Sequence, residues 1–283
     1  PPASPAQVFN LVKDLKGDKT SERAIQVSGK LLGRPFEYGP CGEGRGGDFD
    51  QRPISTFEKF DCTTFVEAVL ALSNVTHRKS QAQAYADFLA ALRGLKYRGG
   101  KVCYASRNHF PETDWLPNAQ KKGYLTDITA ALDPAAGTRE ILISKKNWYE
   151  NKTKADIFRP DLTGRELEEK FKQMKELAGS MPRAGEKAAL KYIPLKRCFD
   201  PGTQKKFPDI VLFNTIKAEN TKIKVPTAVS HQGFIIRKTD GQLYVRHAAA
   251  AAVTKDVLFV DYLNERLTDT AWPTLGFNIQ RIN

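Results

Sequence analysis

Hydrophobic and polar positions divide the chain into a helical first part and a strand-rich last part. Across residues 60–73 apolar side chains recur at 62, 65, 66, 69 and 70, the spacing of one helical face. Asp61 precedes that face as an N-cap, its carboxylate placed to accept from backbone N–H groups two and three residues on. Phe60 before the cap and Phe65 after it suit a hydrophobic staple. The pattern therefore predicts a helix whose first residue is Cys62. Further helices are expected over residues 4–17, with Val8, Phe9, Leu11, Val12 and Leu15 inward, and from Thr20 to about Leu32, where Gly33 stops it. Ser80 caps another, halted near Gly94, and Thr163-x-x-Glu166 is a capping box opening a charged helix to about Leu177.

From Asp209 the period changes to two. Residues 210–216, 233–237, 242–246 and 276–282 read as strands, with Asp240-Gly241 turning the second into the third. Helices first and an antiparallel sheet afterwards define an α+β protein. Residues 34–47 are too rich in Gly and Pro for regular structure and run as a loop toward the Cys62 helix. Residues 95–160 read as mixed and mostly irregular. Residues 182–208, with four Pro, read as a loop with a short helix. The five alanines 248–252 fit either a short helix or a closely packed segment.

Composition narrows the class. The 283 residues suffice for one large domain or two small ones, and 41% apolar content with three Trp supports a real core. No apolar run approaches the ~20 residues of a membrane span. The chain opens at Pro-Pro-Ala-Ser without a signal peptide, as a processed or trimmed start would. The net charge of +12 is scattered rather than massed, so it describes a basic surface suited to polyanions. The dense basic face with interleaved aromatics of a nucleic-acid binder is missing. Four cysteines without a CxxC pair argue against a zinc ribbon and do not indicate a disulfide.

Candidate chemistry centres on Cys62. A residue at the first helical position has a free backbone N–H, and the positive end of the helix dipole favours a thiolate, although the Asp61 charge opposes one. A nucleophilic Cys62 thus needs a base. His77 sits among Thr76, Arg78 and Lys79 and reads as solvated; His109 lies in an aromatic, polar loop. His231 opens one strand and His247 ends the next. Two histidines at the facing ends of adjacent strands suit a base and its orienter. Phe36 and Tyr38, in the loop leading to Cys62, are candidate substrate contacts.

These residues resemble a known family. Asp61-Cys62-Thr63-Thr64-Phe65-Val66 is similar to the Asp-Cys-x-x-Phe-Val signature of NlpC/P60 cysteine peptidases. His231-Gln232-Gly233-Phe234 and His247-Ala248 resemble their second and third motifs. The closer resemblance is to the DUF1460 branch, the N-acetylmuramoyl-L-alanine amidase-like proteins, through Leu32-Gly33-Arg34-Pro35-Phe36, Ser106-Arg107-Asn108-His109, Asp114-Trp115 and the Gly276-x-x-x-x-Arg281 strand. The family tyrosine falls here on Phe36. The resemblance implies a papain-like NlpC/P60 core, with the catalytic cysteine at a helix N-terminus packed on an antiparallel sheet. It implies one amidase domain over residues 1–283, with 95–208 inserted between Cys and His. The implied activity is cysteine-dependent hydrolysis of the N-acetylmuramoyl–L-Ala bond of muropeptides by Cys62, His231 and His247, without metal or cofactor. The alternatives are cleavage of γ-D-Glu–diaminopimelate and a non-catalytic wall-binding role. Arg107, His109, Trp115 and Ser230 join Phe36 and Tyr38 on the substrate side. Peptidoglycan fragments are the implied partner, nucleic acid is not one, and a bacterial periplasmic or secreted location is implied.

A cooperating pair of histidines also constrains the hairpin. A two-residue turn at Asp240-Gly241 would place Phe234 opposite His247 and send the two imidazoles to opposite faces. A three-residue loop, 239–241, with Gly241 in the left-handed region, places Gly233 opposite His247 and His231 diagonally on the same face. The three-residue loop is therefore expected.

Overall fold

A central antiparallel sheet carries both histidines in the computed structural model, which describes residues 1–222 and 224–283. Its strands are β1 (Leu125–Asp127), β2 (Gly137–Ile143), β3 (Glu186–Pro194), β4 (Ile210–Lys217), β5 (Val229–Arg237), β6 (Leu243–Ala248), β7 (Thr254–Leu258) and β8 (Thr274–Ile282). The order is β2-β3-β8-β4-β5-β6-β7, with β1 also pairing β8. The longer helices are α1 (Pro5–Val12), α2 (Thr20–Lys30), α3 (Cys62–Ser73) and α4 (Gln81–Lys96). The short helices α5 (Leu116–Lys121), α6 (Thr129–Leu132) and α7 (Lys145–Glu150) precede α8 (Gly164–Glu176); α9 (Pro201–Lys205) and α10 (Phe259–Leu267) complete the set.

Both faces of the sheet are covered, which is why β4 is buried along its whole length rather than on alternate residues. On one face Leu212, Phe234 and Ile236 join Phe65, Val66, Val69 and Leu70 of α3 in a core that α1, α2 and α4 extend. On the other, Val211, Phe213, Ile235, Val245 and Phe277 pack on Phe259, Tyr262 and Leu263 of α10. Helix α3 is buried from Phe65 to Ser73, consistent with its almost wholly apolar sequence.

Several expectations meet a different outcome. Helix α4 passes through Gly94 to Lys96; a Cβ at Gly94 would come within 3.0 Å of the Tyr124 hydroxyl, so this glycine makes room rather than stopping the helix. Residues 182–208, expected as a loop with a short helix, contain β3 besides the short helix α9, and residues 95–160 contain β1 and β2. Their Lys, Glu and Ala content hides the strand signal, and the seven-residue β2–β3 ladder imposes what propensity does not. The alanine run forms a turn: Ala252 N–H donates to the Ala249 carbonyl, and Ala251 has φ 56°. Helix α10 went unnoticed, although Phe259, Tyr262, Leu263 and Arg266 hold helical spacing.

Candidate active site

Cys62 opens α3 as its local sequence dictates. Asp61 caps the helix by accepting from Thr64 N–H at 2.7 Å, and Thr64 Oγ1 returns a bond from Asp61 N–H at 3.0 Å. The Phe60 and Phe65 rings meet at 5.6 Å, completing the staple. The other Asp61 oxygen accepts from Gly39 N–H at 2.9 Å, so one carboxylate fixes both the helix start and the loop bearing Phe36 and Tyr38. Thr63 Oγ1 donates to Gln232 Oε1 at 3.0 Å, and Gln232 Nε2 donates to Asn214 Oδ1 at 2.8 Å. Asn214 continues to Asn278, so a buried chain of amides ties the first turn of α3 across three strands. Nothing in the local sequence announced this chain; its members sit alone in separate strands.

The hairpin adopts the three-residue loop. Lys238 N–H donates to the Gln242 carbonyl at 3.0 Å, Gly241 has φ 78°, and Phe234 pairs with Arg246. A Cβ built on Gly233 would lie 2.9 Å from His247 Cβ, so Gly233 stands opposite His247 and leaves it space. His231 Nε2 and His247 Nδ1 are 2.8 Å apart, with the rings edge-on at 5.0 Å. The β4–β5 register slips between Thr215↔His231 and Ile216↔Val229, leaving Ser230 as a bulge immediately before His231.

Cys62, His231 and His247 line one cavity of about 510 Å³, with Phe36, Tyr38 and Ser230 also on its wall. Phe36 and Tyr38 stack edge-on at 4.7 Å, and Tyr38 is largely exposed at the mouth. The Phe36 N–H is held by the Ala252 carbonyl, which gives the alanine turn its place beside the cavity. Burial, then the Asp61 charge, pushes the Cys62 thiol up to about 11, while the Gln232 backbone N–H and Thr63 favour its anion. Burial drives His231 down to about 3, helped by His247 and Arg266. Burial, Lys255 and Arg266 drive His247 down to about 4, against Asp256. Burial thus disfavours the charged form of the thiol and of both imidazoles. All four cysteines are free, and no group of metal-ligating side chains occurs among the described residues.

Arg107, His109 and Trp115 are not brought to this cavity. Arg107 donates to Asp50 at 3.2 Å and to the Cys41 carbonyl, with Glu43 at 3.5 Å. His109 contacts the Tyr104 carbonyl at 2.9 Å and packs between the Tyr104 and Trp148 rings. Trp115 donates its indole N–H to Glu67 of α3 at 3.1 Å. These residues brace the 41–52 loop and the back of α3. Conversely, Tyr262, Arg266 and Lys255 line the cavity and were not anticipated.

A family model described as AmiA-like, N-acetylmuramoyl-L-alanine amidase-like, matches residues 26–269. A DUF1460 protein of Legionella pneumophila has a similar structure, with a TM-score of 0.89, 26% identity, and coverage of 98% of this chain and 93% of that one. A proposed xylanase of Bacteroides fragilis follows at a TM-score of 0.62 and 24% identity, covering 90% of this chain and 98% of that one. An N-acetylmuramoyl-L-alanine amidase of Bacteroides uniformis has a TM-score of 0.60 and 20% identity, covering 93% and 99%. The last two likenesses concern the fold alone. No curated protein matches the chain. The chain belongs to the AmiA-like, N-acetylmuramoyl-L-alanine amidase-like family.

Proposed function

We propose, from this family membership and the contents of the cavity, that the protein is a cysteine amidase of cell-wall muropeptides. It cleaves the bond between the muramoyl lactyl group and L-Ala. The observation that carries the reading is the row of Cys62, His231 and His247 along one cavity, with the two imidazoles bonded at 2.8 Å. The core is read as papain-like, with residues 95–208 inserted into a single domain.

The proposed roles set the proton positions, since the hydrogen bond fits either direction. His231 uses Nε2 toward His247, which leaves Nδ1 for the Cys62 thiol. For Nδ1 to accept a proton, His231 carries its hydrogen on Nε2 and donates it to His247 Nδ1. His247 then carries its hydrogen on Nε2. With the thiol at about 11 and His231 at about 3, proton transfer accompanies attack rather than preceding it. The sulfur attacks the lactyl carbonyl, His231 becomes an imidazolium held by His247, and the oxyanion meets the unpaired N–H of Cys62 at the helix start. The imidazolium then protonates the leaving amine of L-Ala, and water hydrolyses the acyl-enzyme.

The test is mass spectrometry of the products from a defined disaccharide-tetrapeptide. Release of an intact stem peptide beginning at L-Ala supports the reading. Release of diaminopimelyl-D-Ala instead assigns the γ-D-Glu–diaminopimelate bond, and no release from a folded protein rejects both.

A further inference from the structure

Buried donors without partners gather on the α10 side of this cavity. Among the described residues, Tyr262 OH, Thr215 Oγ1, His247 Nε2 and Arg266 Nε are enclosed and make no hydrogen bond. Their hosts are neighbours. The Tyr262 ring lies 5.5 Å from that of His247, and the Arg266 guanidinium carbon lies 4.9 Å from the Tyr262 ring centre. Thr215 pairs with His231 in the ladder, and its hydroxyl is close enough to that of Tyr262 for the two to bond by rotation, which leaves His247 Nε2 and Arg266 Nε as the stranded pair. Tyr262 and Arg266 share a helix face because they are four residues apart.

Cations outnumber carboxylates on this wall, with Lys217, Lys255 and Arg266 against Glu265 and Asp269. Arg266 is ion-paired with Glu265, an exposed neighbour at 3.2 Å and a contact of little strength in water, and Asp269 lies within its electrostatic reach. Lys255 faces the cavity from β7, directly opposite His247 in register, and pairs with no carboxylate among the described residues. Lys217 also reaches the cavity wall, but it is bound to Asp269 and to the Trp272 carbonyl. The wall is therefore rich in donors and carries two available cations. A ligand entering the cavity meets the Arg266 and Lys255 side chains, which are open to it, while the enclosed donors lie behind them. A planar anion matched to a guanidinium fork is a carboxylate.

We infer that Arg266 and Tyr262, with Lys255 opposite, form a subsite for the free α-carboxylate of the residue following L-Ala in the substrate. This rests on the amidase reading, because the muramoyl carboxyl is consumed in the scissile amide and the first free carboxylate then belongs to D-Glu. The reach is consistent: the wall and Cys62 share one cavity, and one to two extended residues span roughly 3–7 Å. Substrates whose D-Glu carboxylate is amidated lose the charged partner of this wall and are discriminated against.

Calorimetric titration of the Cys62→Ala protein tests this without turnover, using N-acetylmuramoyl-L-Ala-D-Glu and N-acetylmuramoyl-L-Ala-D-isoglutamine. The carboxylate ligand is expected to bind about tenfold tighter or more. Arg266→Gln in the same protein closes most of that gap by weakening the carboxylate ligand. Lys255→Gln, on an exposed strand position, narrows it in part and serves if the helix variant fails to fold. Equal affinities, a gap that survives both substitutions together, or no binding of either ligand at millimolar concentration overturns the inference. Failure of the amidase reading appears separately, as absence of L-Ala-terminated product from the wild-type enzyme.

Discussion

Two polar clusters flank the first turn of α3, and they are made of similar residues put to different ends. In front, Cys62, His231, His247, Tyr262 and Arg266 border open space. Behind, Arg107, His109, Trp115, Glu43, Asp50 and Glu67 border protein. The front cluster holds unpaired donors, and the carboxylates on its wall, Glu265 and Asp269, are already engaged by Arg266 and Lys217. The rear cluster holds unpaired acceptors, the Glu43 oxygens, within ionic reach of Arg107. Burial pushes Glu43 up to about 7 while Arg107 pulls it down, the mark of a charge balance closed inside the fold. The contrast teaches that histidine, arginine and tryptophan in a motif do not by themselves say whether they meet substrate. What distinguishes the clusters is whether their residues line a cavity.

Substitutions separate the two regions most sharply at the nucleophile. Cys62→Ser and His231→Ala are expected to lower kcat by at least about 10³-fold, the scale of a lost nucleophile or general base, with unchanged circular dichroism. Near wild-type turnover by Cys62→Ser would defeat the cysteine mechanism, and complete inhibition by EDTA would point to a metal.

In the rear cluster, Trp115→Ala is expected to destabilise by roughly 3–5 kcal/mol through a large cavity and the loss of the indole bond to Glu67, which keeps only Lys96 at 3.9 Å among the described residues. His109→Ala follows with a smaller loss of Tm. Both should leave kcat/KM of the folded fraction near wild type at a temperature where the variants remain folded. A kinetic defect in a thermally normal His109→Ala protein would return that residue to the substrate side.

His247→Ala should retain activity, reduced by about 10–10²-fold, because an orienter is less essential than the base it orients. The measurement that checks its role is kcat against KM: loss in kcat alone fits orientation, and loss in KM alone fits binding.

The resting protonation states give the subtlest tests. With the thiol near 11, alkylation of Cys62 by iodoacetamide should accelerate steadily from pH 6 to beyond pH 9. A plateau between pH 5 and 8 would mean a preformed thiolate–imidazolium pair. Asp61→Asn keeps the cap but removes the anion, so it should alkylate faster at a given pH. Stability has the opposite origin. Unfolded histidines take up protons below about pH 6.5, whereas His231 and His247 stay neutral in the fold until about 3 and about 4, facing Arg266 and Lys255 with only Asp256 opposed. Their contribution is therefore complete above pH 6.5 and is lost as pH falls toward 4. The double variant His231→Ala/His247→Ala should lose less Tm between pH 7 and pH 5 than wild type; equal losses would refute the neutral pair.

What the sequence determined by itself is what depends on near neighbours. The start of α3 was legible because its cap and its staple both lie within residues 60–65. The hairpin register was legible once His231 and His247 were required to share a face, because a period of two then admits the three-residue loop ending in Gly241 and not the two-residue turn. The rest depends on partners far apart in the chain. Arg107 and Trp115 turn inward because Asp50 and Glu67 accept from them, 57 and 48 residues away. Tyr262 and Arg266 enter the cavity because α10 packs on the sheet face carrying His231 and His247. The amide chain from Thr63 to Asn278 joins residues that are unremarkable one by one. Capping and turn chemistry act over a few bonds and are written locally, whereas the burial of a polar group is settled only when distant segments close over it or leave it facing open space.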